Sequence, residues 1–268
     1  MANTRNIALN VLLKIENEGA YSNIALNNAI KENRLSGVDS SFVSALVYGV
    51  LERRITLDYI IRSYSKIPLR KIETKTKNIL RLGILQLLFM DKVPDSAAVN
   101  ESVNLAKKHK LQKSSGNVYL TSALVMLRRI PFIKPDEKDR VRYLSVKYSV
   151  PENIVKLWIN SYGENNAEQL LASLNGRAKI CCRVNTLRTD ADTLIKKLSD
   201  EGVVAEKIPF IDNALYLENT GSVERLRAYK SGLFHIQDAS SLLAPAEISF
   251  SLWSNISQEK ILPRLFIY

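Results

Sequence analysis

Residues Ile79–Met90 read ILRLGILQLLFM, apolar on nearly every side of a helix except at Arg81 and Gln86. A helix that is hydrophobic all round has to be enclosed by others. At 12 residues the run is far short of the roughly 20 that cross a bilayer. It therefore marks the centre of a helical bundle, in a helix from about Glu73 to Met90. Gly83 costs that helix about 1 kcal/mol relative to alanine, and is read as a close contact between helices.

The segments on either side supply the enclosing layer. Ala8, Val11, Leu12 and Ile15 fall at i, i+3, i+4 and i+7, one stripe of a first helix. A second follows Ser22 with Ile24, Leu26 and Ile30, and a third opens at Asp39 or Ser40 with Phe42, Leu46 and Val50. A fourth carries Leu57, Ile60, Ile61 and Tyr64 and stops before Pro68. Beyond the central helix, Asp95 or Ser96 caps one with Val99, Val103 and Ala106 inward. A last one spans about Gly116 to Arg129 with Leu120, Leu124 and Leu127, before the break at Pro131 and Pro135.

The period changes further along. Short helices are expected over Asp136–Tyr148, Pro151–Tyr162 and Asn165–Leu174, with Ile154, Leu157 and Trp158 as the core side of the second. After the Asn175-Gly176 turn come a strand (Lys179–Val184), a helix (Asp190–Glu201), two strands (Val203–Ile208 and Ala214–Glu218), a short helix (Ser222–Tyr229) and a strand (Leu233–Gln237). That βαββαβ order suits a small ferredoxin-like module or one like an RNA-recognition motif. Its matching strands offer Cys181, Cys182 and Tyr216, a poor set for stacking bases on the sheet. The fold class is therefore mainly α: an all-helical bundle, short linker helices and a small α+β module.

The net charge of +11 is unevenly placed. Residues 1–150 hold 25 Lys and Arg against 13 Asp and Glu, an excess of +12, whereas residues 151–268 come to −1. Such asymmetry points to a helical half that faces a polyanion, with nucleic acid the leading partner. Arg5, Arg53, Arg54, Lys107, Lys108, Lys110, Lys113, Arg128 and Arg129 sit mostly at helix ends, where forks and point charges can line phosphates. Cations at helix C-termini also offset the helix dipole, which serves Lys107, Lys108, Arg128 and Arg129 equally well. Cys181 and Cys182 are adjacent on a strand and so face opposite ways, unsuited to a metal site or an ordinary disulfide. That pattern fits a reducing cytosol, and with no leader-like apolar core behind Met1–Asn10 a cytoplasmic protein without membrane attachment is expected. His109 and His235 lack metal-ligand neighbours, and neither G-x-G-x-x-G nor G-x-x-x-x-G-K-[ST] occurs.

In order, Arg5-x-x-Ala8, FVSALVYGVLERRITLD (Phe42–Asp58), the Ile79–Met90 helix and AVNESVNLAKK (Ala98–Lys108) resemble the NusB-like RNA-binding domain. Arg183-Val184-Asn185-Thr186, with GLFHIQDASS (Gly232–Ser241), is similar to the module preceding the catalytic domain of RsmB/Sun-type cytosine-5 methyltransferases of 16S ribosomal RNA. The resemblance implies a NusB-like bundle over 1–133, a helical linker over 134–176, a pre-catalytic module over 177–245 and an atypical tail over 246–268. It implies 16S ribosomal RNA as partner, and places Gln237, Asp238 and Ser241 beside an active site. The family binds S-adenosylmethionine in a D-x-C-A-A-P-G-G-K loop and attacks the cytosine with a cysteine; neither element is found here, and Cys181 and Cys182 lie upstream of where they belong. The expectation is an RNA-binding front half, without cofactor and inert alone, completed by a separate methyltransferase chain if at all. The competing reading is a stand-alone RNA-binding protein of the antitermination kind. A helical DNA-binding protein has only charge in its favour, since no helix carries the Arg/Asn-rich face of a recognition helix.

Overall fold

The computed structural model describes residues 4–35, 37–65, 67–109, 135–174, 179–209 and 211–243. The chain divides into two compact units, Met1–Gly176 and Arg177–Tyr268.

In the first unit, α1 (Thr4–Glu18), α2 (Ser22–Glu32), α3 (Gly37–Glu52) and α4 (Arg54–Tyr64) precede α5 (Thr74–Phe89) and α6 (Asp95–Lys108). Helix α5 buries every residue from Asn78 to Gln86 and packs against α1, α3, α4 and α6, as the sequence of its apolar run requires. Gly83 lies in that buried run, and a glycine on a neighbouring helix marks a close approach to it. A Cβ on Gly49 of α3 would stand 2.9 Å from Leu85 Cδ2, so glycine here lets α3 lie close against α5.

Four polar side chains in α5 are buried, Thr76, Asn78, Arg81 and Gln86, and the last three bind across the bundle and along the helix. Gln86 donates to the Leu82 carbonyl (2.7 Å) and accepts from Arg5 Nε (2.7 Å). Arg81 makes a two-pronged pair with Asp58 of α4 (Nε–Oδ1 2.7 Å, Nη2–Oδ2 2.9 Å) and donates through Nη1 to Glu16 of α1 (3.0 Å) and Asn78 (3.1 Å). Asn78 in turn donates to Glu16 (2.8 Å). Burial alone would lower the Arg81 pKa and raise that of Glu16. Hydrogen bonds and opposite charges outweigh it: Asp58 and Glu16 raise the first, while Asn78, Arg81, Arg54 and Lys77 lower the second.

The outer helices differ from the sequence reading by small rotations. In α2 the buried pair is Ala25 and Leu26, while Ile24 is more than half exposed. In α6 the buried residues are Ala98, Ser102, Leu105 and the expected Ala106, with Val99 partly buried against the core, so the stripe is shifted toward Ala98 and Ser102. The shift is tolerated because the Ser102 hydroxyl donates to the Ala98 carbonyl one turn back (2.8 Å). The expected helix over Gly116–Arg129, Lys110, Lys113 and the Pro131 break lie outside the described residues.

Helices α7 (Arg140–Tyr148), α8 (Glu152–Tyr162) and α9 (Glu164–Leu174) complete this unit. The first starts four residues later than expected because Asp139 caps it, accepting from Arg142 N (3.2 Å). Val155 is buried and Trp158 packs against Tyr143, Leu144 and Leu171, but Leu157 points outward. The three helices do more than connect. The buried Thr56 hydroxyl donates to the Val146 carbonyl (2.5 Å), and Ile55 N–H donates to Ser149 Oγ (3.0 Å), fastening α4 to α7.

The second unit has the anticipated order: β1 (Ile180–Val184), α10 (Ala191–Ser199), β2 (Val204–Ile208), β3 (Ile211–Glu218), a 3-10 turn (Val223–Arg225), α11 (Arg227–Lys230) and β4 (Phe234–Ile236). The sheet is antiparallel in the order β2-β3-β1-β4, with Cys182 opposite Leu215 and Ile236 in register. Asp190 caps α10, accepting from Thr193 N (2.9 Å). Glu201 turns back to accept from Arg227 N (2.7 Å) and Ala228 N (3.0 Å), so one carboxylate caps the short α11. Cys182, Val184, Leu215, Leu217 and Phe234 pack under the helices; Cys181 lies on the opposite face with Ala214, Ala239 and Leu242.

Arg81→Met is expected to lower the unfolding free energy by about 3 kcal/mol, because it strands Asp58 and Glu16 without their shared cation. Arg54→Ala, which removes a half-exposed partner of Glu16, should cost under about 1 kcal/mol. Urea melts of the two variants compare them, and equal costs would refute the network's central role. Glu16 adds a pH dependence. Its folded pKa lies below the ordinary 4.5, so its contribution is complete above that value and fades as pH falls through the lowered one. Melting temperature should therefore drop in acid, and less so in Glu16→Gln.

Candidate nucleic-acid interface

The basic residues singled out by sequence separate into three environments. Arg5 is half-buried and turns toward the core: its Nε bonds Gln86, and its guanidinium carbon lies 5.1 Å from the Phe42 ring centroid. Burial is the main reason its pKa falls below the ordinary value. Arg53 and Arg54 stand where α3 gives way to α4. The Arg53 guanidinium lies over Phe89 (4.9 Å to the centroid), and Arg54, half exposed, reaches Glu16 at 3.4 Å.

Lys107 and Lys108 are exposed on the last turn of α6, where they also complement the helix dipole. Next to them His109 stands with its Nε2 3.0 Å from Asn6 Oδ1 of α1. Burial, then the charges of Lys75 and Lys108, lower the His109 pKa, so the ring is neutral at pH 7. Lys75, in the first turn of α5, thus belongs to this group, although sequence reading had not singled it out. Its signal was spatial, since nothing nearby in the chain joins it to Lys108. Lys75 and Phe89 lie at opposite ends of α5, about 21 Å apart at 1.5 Å per residue. Among the described residues singled out here, Arg53 stands by one end of the central helix and Lys75, Lys107 and Lys108 by the other. Lys110, Arg128 and Arg129 lie outside the described residues.

In the second unit, the Arg183–Thr186 segment holds the sheet's closing corner. Asn185 Nδ2 donates to the Gly232 carbonyl (2.8 Å), and Arg188 Nη1 donates to the Ser231 carbonyl (2.8 Å). Gly232 has φ +65, and a Cβ there would meet Arg188 Nη1 at 3.1 Å, which accounts for glycine at the start of the GLFHIQDASS stretch. Gln237 N–H donates to the Cys181 carbonyl (3.1 Å), extending the β1–β4 pairing. Asp238 accepts from Ser240 N (2.9 Å) and from the Ser240 hydroxyl, bonds that hold its carboxyl below the ordinary value as it caps the turn leading to exposed Ser241.

The two thiols are poor nucleophiles. Burial, then the Asp238 charge, raises the Cys181 pKa; burial and the neighbouring Cys181 push Cys182 up to about 12. Among the described residues no group of His, Cys, Asp and Glu is placed to hold a metal ion, and no helix is long and apolar enough to cross a membrane.

Comparison with known proteins places these features. Residues 2–118 match the NusB family, and residues 150–224 match the Methyltr_RsmF/B-like, ferredoxin-like domain. Over 89% of its length the chain is 34% identical to a probable ribosomal RNA small subunit methyltransferase B of Bacillus subtilis, covering 53% of that protein. Over 38% of its length it is 36% identical to transcription antitermination protein NusB of a Nocardioides species, covering 74% of it. The crystal structure of PH0851 shares the fold (TM-score 0.59, 17% identity), covering 90% of this chain and 54% of that one. The chain spans about half the length of the curated methyltransferase relatives it matches.

Both thiols should react with iodoacetamide at pH 8 at least about a hundredfold more slowly in the folded chain than in the unfolded one. Mass spectrometry of timed samples reads this, and rapid native labelling of either would restore it as a nucleophile.

Proposed function

Since the chain belongs to the family of ribosomal RNA small subunit methyltransferase B, with its NusB and RsmF/B-like ferredoxin-like domains, we propose that it grips ribosomal RNA for that reaction. The single observation that carries this reading is the +12 excess in residues 1–150, set against −1 in the rest. A polyanion gains from releasing its counterions to such a surface. Arg53, Arg54, Lys75, Lys107 and Lys108 are the described cations best placed to meet phosphates, at the two ends of α5. Small-subunit (16S) ribosomal RNA is the substrate class, and cytosine C5 the position modified.

Methyl transfer needs an activated thiolate and a methyl donor held in line with the base. Cys181 and Cys182 are too buried, and too high in pKa, to be that thiolate. In this proposal the chemistry comes from a methyltransferase domain or chain carrying S-adenosylmethionine, and these two units select and present the RNA. Gln237, Asp238 and Ser241, at the end of the sheet module, are the residues proposed to lie beside that partner.

Binding of a 16S ribosomal RNA fragment should weaken as salt rises, with log K falling against log salt at a slope of about −0.7Z to −0.9Z for Z neutralised phosphates. Arg53→Ala with Arg54→Ala is expected to lower both affinity and slope, as is Lys107→Ala with Lys108→Ala. Affinity independent of salt, or absent at low salt, refutes the reading.

A further inference from the structure

Helix α5 is the most buried element of the helical unit, yet its last residue is an aromatic at the surface. Phe89 keeps 39% of its area exposed, immediately after a run in which Asn78 to Gln86 are all buried. Over its ring lies the guanidinium of Arg53, 4.9 Å from the centroid. The arginine comes from a different place in the chain, the junction between α3 and α4, so the two groups are brought together by the packing of α3 against α5. Gly49 makes that packing close: with Leu85 2.9 Å from where its Cβ would be, α3 is drawn in near the end of α5. Arg54 follows directly with half of its side chain exposed, and on α3, Tyr48 is 38% exposed about a turn before this corner.

A flat aromatic ring and a planar cation at one corner are ingredients with which proteins hold unpaired bases. The ring and the guanidinium plane supply stacking surface, which every base can use, and the neighbouring cation meets the phosphate. A purely phosphate-binding corner would have no use for an exposed phenylalanine. A paired helix, its bases stacked inside, could not reach the ring. Resting on the RNA-binding reading above, we propose that Phe89 and Arg53 form a stacking platform for an unpaired nucleobase, with Arg54 on the adjacent phosphate. The RNA engaged at this end of α5 is then single-stranded or looped.

The test uses the full chain and two probes followed by fluorescence anisotropy: a labelled single-stranded RNA of about 12 nucleotides, and the same strand annealed to its complement. Phe89→Leu keeps an apolar side chain but loses the flat face. It should weaken binding of the single strand about tenfold, leaving duplex binding and the salt slope as in the unaltered chain. Phe89→Trp should restore or improve single-strand binding. Arg53→Lys keeps the charge but loses the plane, and should weaken the single strand selectively even if Phe89→Leu proves unstable. Single-strand affinity unchanged in both Phe89→Leu and Arg53→Lys overturns the platform while leaving the RNA-binding reading in place. Equal losses on both probes also overturn it. An unaltered chain that binds neither probe at low salt overturns the RNA-binding reading itself.

Discussion

The helical unit depends on how one cation is kept inside it. Arg81 sits in the middle of a helix whose neighbours are leucine and isoleucine, with its side chain 3% exposed. A buried guanidinium is tolerable only if its donors are satisfied and its charge opposed. Asp58 takes two of its nitrogens and Glu16 with Asn78 a third, so three helices converge on one group. Apolar packing alone would allow α1 and α4 to rotate or slide along α5. The carboxylate geometry allows one arrangement, and that arrangement also sets where Arg54 stands, through its pair with Glu16.

Much of this was visible in the residues beforehand, and the gaps have physical causes. The Ile79–Met90 stretch disclosed a central helix because only enclosure satisfies a helix that is apolar all round. The alternation around Cys181-Cys182 disclosed a strand with two covered faces, and each thiol was found on its own face. What could not be read was partnership across the chain. Arg81 and Gln86 looked like interruptions of an apolar run, and their carboxylate and arginine partners lie in α1 and α4, far away in sequence. Lys75 was passed over for the same reason. In α6, Val99 and Ala106 were read correctly, but buried Ser102 was missed because, polar by composition, it hides its hydroxyl on its own helix. Gly49, which lets α3 lie close against α5, was not singled out because the leucine it faces is far away in sequence.

The two units differ in charge. Residues 1–176 hold 26 Lys and Arg against 16 Asp and Glu, an excess of +10, whereas residues 177–268 hold 12 against 11, +1. Long-range attraction for a polyanion thus resides in a unit built on local helical order, where long side chains at helix ends reach solvent. The module owes its shape to hydrogen bonds at strand ends and to one carboxylate, Glu201, capping a four-residue helix. Such a module is suited to rigid presentation. Its two thiols, buried at neighbouring positions of one strand, serve as small core side chains.

The corner held by Asn185, Arg188 and Gly232 also bears on the order of events as the chain folds. It joins the end of β1 to the start of β4, and β1 cannot complete its second ladder until Phe234–Ile236 arrives. Sheets closed by contacts so distant in sequence form slowly, because the intervening chain must be gathered before any of that pairing repays its entropy. Helices α1 to α6 begin from neighbouring residues and leave the ribosome ahead of the sheet module. Within the sheet module, the step that closes the sheet is therefore the docking of a three-residue strand.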